Sequence, residues 1–352
     1  MNILFVIAHL GGSGGQSVQS KRLIDELAKI HNVKILTLRN GDYLDLPENC
    51  EVVADLKLSS IFKLFKKIKT ISKNYDIIQV LDSYYSLPAV YLANVKKPVV
   101  LRLGADPLNE LKDKKLYFYY FFYYFLEKLM FKKVNFFVVN NIHFSKRIMN
   151  RKNLKWIPNG FFPVKFNKKK EKKFTLIFVG YLSKMKNVEF IIKAMKNLNS
   201  CKLYVIGDIK GEYRKEYLRL INNYDVSNII FTGKIQAKEV STYLEKGDIF
   251  VSSSLREGFP NSVLEAMFHG LPVVCKNIDA MNTIIRNGEN GFLFNNEEEY
   301  IKIIKLLKKD KKLRESISNL ALKEAYKRYQ INKIAKEYLK IYKKLLFVPK
   351  QP

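Results

Sequence analysis

An α/β protein of two similar halves, each organised around a parallel sheet, is what the sequence predicts, and three observations predict it. Short apolar runs alternate with longer segments whose apolar residues recur at helical spacing. That alternation restarts once, after a polar and proline-interrupted stretch. A chain of 352 residues is also longer than one ordinary core supports.

The first half opens with the apolar run Ile3 to Ala8, then glycines, then Val18 to Ile30 with apolar residues at helical spacing, then a second apolar run, Val33 to Leu38. Strand, loop, helix and strand in that order make the opening unit of a parallel sheet covered by helices. Further strands are expected at Ile77 to Leu81, Val99 to Leu103 and Phe136 to Val139. The polar stretch FFPVKFNKKKEKK follows Pro158, Asn159 and Gly160, and the pattern restarts at Phe174, which sets the boundary. The expected domains are 1–165 and 166–335, with 336–352 as a terminal helix packing back on the first. The second half repeats the scheme, with strands at Leu176 to Val179, Leu203 to Ile206, Ile229 to Phe231, Ile249 to Val251 and Pro272 to Val274, and helices from Glu297 to about Leu346. Two such halves imply a cleft, with ligands beyond the carboxyl ends of the strands.

Hydrophobic residues make up 47% of the chain and aromatic ones 13%, enough to build two cores and too many for a disordered polycation. The formal charge of +29 is spread along the chain and suits anionic partners: nucleic acid, anionic lipid or phosphorylated substrates. Cys50, Cys201 and Cys275 are far apart, which excludes a metal or redox spacing and suits a reducing cytoplasm. MNILFVIAHL has no basic leader and runs into a glycine loop, so it reads as a buried strand and not as a signal peptide. No apolar run reaches the length of a membrane span.

The chemistry concentrates in Glu257, Gly258, Phe259, Pro260, Asn261, Ser262, Val263, Leu264 and Glu265, directly after the strand ending at Val251 and the serines Ser252 to Ser254. Pro260 and Asn261 open a helix running to about His269. A helix N-terminus presents unpaired N–H groups and the positive end of its dipole, a ready site for a diphosphate. Glu257 precedes the helix and Glu265 lies about a turn inside it, so the two carboxylates can accept hydroxyls from different parts of one elongated ligand.

EGFPNSVLE followed by AMFHGLPVV resembles the retaining glycosyltransferases of the GT-B fold, the large group called family 4. IPNG at Ile157 to Gly160, VGYLSKMKN at Val179 to Asn187, VIGD at Val205 to Asp208, FTG at Phe231 to Gly233 and NGENGFLF at Asn287 to Phe294 stand around it in the family's order. The resemblance covers nearly the whole chain. It implies two Rossmann-like domains facing across a cleft, the first for an acceptor and the second for a nucleotide sugar, one of UDP or GDP. By the same resemblance Glu257 would hold the transferred sugar, assisted by amides near Gly258, Phe259, Pro260 and Asn261. Glu265 would take the ribose, amides near Ser262 and Val263 the diphosphate, and Gly233 with Lys234 would line the base. Lys186 would neutralise the leaving diphosphate. Tyr181 stands where the family usually has an arginine, which shifts that charge to a cation such as Lys184 or Arg256.

In the first half, Gly14 and Gly15 match the family's glycine pair and would let backbone approach a ligand. Leu103 in LRLGADP occupies a position where the family commonly has histidine, leaving Arg102 and Asp106 as candidates near the reacting centre; His9 is a further candidate cleft residue. The catalytic set is Glu257, Lys186 and Asp106. No D-x-D spacing occurs, so no metal and no cofactor are expected, the nucleotide sugar being a substrate. Transfer of a hexose or N-acetylhexosamine to a glycan or lipid-linked acceptor is the reaction implied.

Ile61 to Lys73 places Ile61, Leu64, Phe65, Ile68 and Ile71 on one helical face with lysines elsewhere, the pattern of a helix on an anionic bilayer. Leu116 to Phe131 is densely aromatic. A peripheral enzyme at the cytoplasmic face of the membrane is the expectation. The alternatives are a hydrolysing nucleotide-sugar epimerase of similar architecture and a non-catalytic anion- or nucleic-acid-binding protein, though the sequence carries no nucleic-acid recognition module.

Overall fold

The computed structural model describes the chain except residues 11–14, 40–47, 56, 105–107, 109–110, 113–114, 141–147, 149, 170, 210–214, 216–218, 220–227 and 348–352. It divides into two compact units, Met1–Phe162 with Ile331–Pro352, and Pro163–Gln330.

The first unit is a seven-stranded parallel sheet of β1 (Asn2–Ile7), β2 (Asn32–Arg39), β3 (Cys50–Asp55), β4 (Ile77–Val80), β5 (Val99–Leu103), β6 (Phe136–Val139) and β7 (Leu154–Trp156), in the order β3-β2-β1-β4-β5-β6-β7. Its central strands are apolar without alternation because helices cover both faces. On one face lie α2 (Ser60–Ile71), α3 (Ser86–Leu92) and α4 (Tyr117–Phe131), contributing Leu64, Ile68, Leu87, Val90, Met130 and Phe131 to the core. On the other face α1 (Gly15–Ala28) brings Leu23, Ile24 and Leu27.

The last helix, α11 (Ile331–Phe347), shares that second face through Ile331, Ile334, Ala335, Tyr338, Ile341 and Tyr342. Its apolar residues recur every three or four positions, the stripe a helix needs to cover a sheet. The Tyr342 hydroxyl donates to Oε1 of Gln79, a fully buried amide on β4, at 2.7 Å. Gly160 makes the docking sterically feasible, since a Cβ there would lie 2.8 Å from the Ile331 Cα. The Ile331 amide completes the join by donating to the Phe161 carbonyl. The chain therefore enters the first unit again at Ile331, ahead of residue 336, because Ile331 itself is part of this buried contact.

The second unit is a six-stranded parallel sheet of β8 (Phe174–Val179), β9 (Cys201–Ile206), β10 (Ile229–Gly233), β11 (Ile249–Ser252), β12 (Val273–Lys276) and β13 (Phe292–Phe294), in the order β10-β9-β8-β11-β12-β13. Its helices are α5 (Val188–Ala194), α6 (Ala237–Lys246), α7 (Asn261–Phe268), α8 (Asp279–Asn282), α9 (Glu297–Lys309) and α10 (Lys311–Arg328). One face is packed by α5 and α9 through Val188, Ile191, Ile192, Tyr300, Ile304 and Leu307. The chain runs outward from β8 through β9 to β10, then returns to the other side of β8 with β11. Between β8 and β11 the loops leaving the carboxyl ends diverge, the place where open parallel sheets accept ligands. Among the described residues no helix is long and apolar enough to cross a membrane.

Candidate functional site

At that divergence in the second unit stand the two residues singled out for sugar and diphosphate. Lys186, in the loop from β8 to α5, bonds Glu257, in the loop from β11 to α7, through Nζ and Oε1. They are 71 positions apart in sequence and meet only because β8 and β11 are neighbours. Both keep some exposure, 24% and 13% of the side chain, so the pair is accessible and partly desolvated. The ammonium has three N–H donors and the carboxylate two acceptor oxygens, leaving capacity on each for a ligand.

The backbone around Lys186 is held in place. Asn187 adopts a left-handed conformation, φ +48°, directly before α5. Ser253 Oγ, fully buried, donates to the Asn187 carbonyl at 2.7 Å and lies 3.2 Å from that of Lys186. The Leu255 amide donates to the Met185 carbonyl at 2.8 Å, a second tie between the loops. Ser253 is a positioning residue that sequence reasoning did not single out. The signal was available, because a polar residue in a strand end that is otherwise buried needs a local partner.

VGYLSKMKN, VIGD and FTG meet at the same edge. Gly180 N–H donates to the Ile206 carbonyl, Leu182 N–H to Asp208 and Gly207 N–H to Gly233, so the ends of β8, β9 and β10 are laced together. Gly207 has φ +145°, and a Cβ there would lie 2.0 Å from the Gly180 carbonyl oxygen. Only glycine permits that approach. Gly233 has φ +67° with open space where a side chain would be, and Lys234 beyond it is exposed. Tyr181 is half-buried and Arg256 exposed on the flanking loops.

α7 begins at Asn261 with Pro260 as its N-cap and no side-chain cap. The Asn261 amide donates to the Phe259 carbonyl at 2.9 Å, which removes it from the set of amides directed at a ligand. Ser262 and Val263 lie in the first turn, where N–H groups have no partner within the helix. Phe259 is buried with its ring edge-on to Tyr329, so its contribution to the site is backbone alone. Glu265 stands one turn inside, half-buried. Its carbonyl receives His269 Nδ1 at 2.8 Å, while Nε2 meets Ser241 Oγ at 2.6 Å, which fixes that fully buried ring under the helix.

Beneath the pair lies Cys275 on β12. Burial, followed by the Glu257 charge, raises its thiol far above the ordinary range, so it is inert packing. NGENGFLF is architectural. Asn290 accepts the Arg286 amide and donates to the Ile284 carbonyl, and Asn287 accepts the Leu293 amide, setting up β13.

In the first unit the described candidates are Gly15, Arg102 and His9. Gly14 and Asp106 lie outside the described residues, and Gly15 opens α1. Arg102 is not presented to a ligand. It is 4% exposed, with Nη2 bonded to Asn159 and Nη1 3.4 Å from Ser20 Oγ. Strand alternation explains this, for Arg102 on β5 points to the α1 face. IPNG thus acts inside the fold, Asn159 gathering Arg102 and Asn140. His9 follows β1, and burial lowers its pKa, favouring a neutral ring. The carboxylate at the corresponding divergence is Asp82 after β4. It accepts the Ala8 amide at 2.7 Å and the Tyr85 and Ser86 amides at 2.9 Å, organising the end of β1 and the start of α3.

Among the described residues no three His, Cys, Asp or Glu side chains converge as metal ligands.

Residues 163–324 match the family model of glycosyl transferases group 1. An uncharacterized glycosyltransferase of Methanocaldococcus jannaschii is 33% identical over 191 residues, covering 52% of this chain and 48% of that protein. The sulfoquinovosyl transferase of Arabidopsis thaliana is 33% identical over 157 residues, 43% of this chain and 30% of its own. These curated relatives are thus matched over about half of their length or less. The structure of Anabaena HepE in complex with UDP-glucose superimposes with a TM-score of 0.79 at 20% identity, covering 98% of this chain and 100% of that one. The GT-B fold follows from that likeness.

Proposed function

We propose, from the match of residues 163–324 to the glycosyl transferases group 1, that the chain moves a hexose or N-acetylhexosamine, with retention of configuration and without a metal, from a UDP or GDP sugar to a glycan or lipid-linked acceptor. The observation that carries this reading is the Lys186–Glu257 pair beside the start of α7.

In this reading Glu257 accepts sugar hydroxyls while one N–H of Lys186 stays on it and the others turn to the diphosphate. The Ser262 and Val263 amides and the helix dipole add stabilisation that grows as charge develops on the leaving group. These groups and Lys186 supply the positive field that a divalent ion supplies elsewhere. Glu265 takes the ribose. The acceptor hydroxyl attacks the anomeric carbon from the face the nucleotide leaves; the carbon–oxygen bond to the β-phosphate breaks, and a phosphate oxygen receives the acceptor proton. The protein contributes position and charge stabilisation and no nucleophile. The first unit is the acceptor-binding half, and the enzyme works at the cytoplasmic face of a membrane.

The test is product analysis with UDP and GDP sugars and lipid-linked or free glycan acceptors, with and without EDTA. A new glycosidic bond with the donor's anomeric configuration, formed equally in EDTA, is expected. An inverted product, abolition by EDTA, or free epimerised sugar plus nucleotide would each overturn the corresponding part.

A further inference from the structure

The expectation that Ile61 to Lys73 lays its apolar face on a bilayer does not survive the packing. Leu64 and Ile68 of α2 are fully buried, and Ile61, Phe65 and Ile71 pack against the same core. What α2 presents outward is Lys63, Lys66 and Lys69, with Phe62 as a single exposed apolar residue among them.

The unpartnered apolar face belongs to α4. Tyr123, Glu127, Met130 and Phe131 face inward, and the Tyr123 hydroxyl donates to the Ser83 carbonyl. On the opposite side Phe118, Phe121, Phe122 and Phe125 are exposed by 79, 66, 56 and 62%. Their spacing of three, four and seven residues makes one continuous stripe. An outward stripe of phenylalanine on a helix already anchored by its other side is rare on a soluble surface and marks a contact.

We propose that this stripe is a docking surface for an anionic lipid bilayer, which it enters to headgroup depth with α4 parallel to the membrane. Charge complementarity selects that occupant. Lys112, Lys115, Lys128 and Lys132, all exposed, bracket the stripe at both ends of the helix. α2 packs on α3 and α3 on α4, so the exposed lysines of α2 belong to the same helical layer of the first unit. Tyr117, Tyr119 and Tyr124 are exposed beside the phenylalanines, and Lys128 Nζ lies 4.6 Å from the Tyr124 ring. Tyrosine at the rim, phenylalanine at the centre and lysine around them is the layering of a bilayer interface. A second copy of a chain carrying +29 would instead bring two lysine rims together. The inference extends the lipid-linked acceptor reading, yet it stands on the first unit alone and does not need the donor chemistry.

The experiment is co-sedimentation of the full chain with phosphatidylglycerol and with phosphatidylcholine vesicles, at low and moderate salt, beside analytical ultracentrifugation. The variants are F118S/F121S/F125S and K112Q/K115Q/K128Q/K132Q, each checked by circular dichroism and by its donor-induced thermal shift. Wild type is expected to pellet with phosphatidylglycerol vesicles and to bind phosphatidylcholine at least about tenfold more weakly. The phenylalanine variant should lose about tenfold or more with its donor response intact, and the lysine variant should lose affinity together with salt dependence. Vesicle binding unchanged in the phenylalanine variant would overturn the proposal. So would a wild-type dimer that dissociates in that variant and binds no vesicles. Lost donor response with vesicle binding retained would count against the transferase reading and leave this one standing.

Discussion

Lys186 and Ser253 show how a single contact can hold a site. The ammonium reaches Glu257 because the Lys186 and Asn187 carbonyls are met by a hydroxyl buried at the end of β11. Removing that hydroxyl leaves a buried acceptor without its donor, a loss of about 1–3 kcal/mol. Ser253→Ala is therefore expected to weaken nucleotide-sugar binding severalfold while the fold persists, measured by isothermal titration beside the melting temperature. Gly207→Ala acts by sterics instead. Its Cβ would sit 2.0 Å from a carbonyl oxygen at φ +145°, so a destabilisation of about 2–4 kcal/mol is expected in urea titration. His9 is held neutral by burial, which favours the native state above the imidazole's ordinary pKa of 6.5 and is lost as pH falls below it. An NMR titration should place its pKa below that value. At this scale the sequence was legible where a motif is long, since the two motifs that carry Lys186 and Glu257 lie on loops the fold brings into contact. It was not legible for Arg102, whose direction depends on which face of β5 is covered.

Among elements, the strands at the centre of each sheet were readable because they are buried on both sides and thus apolar throughout. β3, β7 and β13 were not, and each is the last strand of its sheet. β3 and β7 are only partly buried, and β7 and β13 have three residues each, so no apolar run distinguishes them. α2 and α4 show the complementary limit. Periodicity finds an apolar face on α2 but does not say what covers it, and tertiary packing gave that face to the core. α11 offers a test of element docking. Tyr342→Phe leaves the buried Gln79 Oε1 without its donor and is expected to cost about 1–3 kcal/mol in urea titration, with the midpoint change confined to the first unit.

For the whole molecule, the two units share a plan, a parallel sheet with one divergence, but use it differently. In the second unit the divergence presents a lysine, a glutamate and a helix start; in the first it is organised by Asp82, whose oxygens accept backbone amides. Acid stability should follow the paired carboxylates of both units. Hydrogen bonds from Lys155 and Lys340 lower the pKa of Glu337 in the first, and those from Tyr204 and Lys202 lower that of Glu171 in the second. Both therefore stabilise the native state above the ordinary carboxylate value of 4.5, and that contribution is lost as pH drops below it. The melting temperature should fall along that range. The division into two halves was visible from the restart at Phe174. The return of the chain at Ile331 was not, because a buried isoleucine after a turn carries no mark of which core it joins.

The central claim is that Lys186 and Glu257 hold a nucleotide sugar at the β8–β11 divergence, and donor binding tests it most directly. In a thermal-shift screen of UDP and GDP sugars, one donor should raise the melting temperature of the wild type, and Lys186→Ala and Glu257→Ala should each lose that rise. A donor that stabilises the wild type and both variants equally would contradict the assignment.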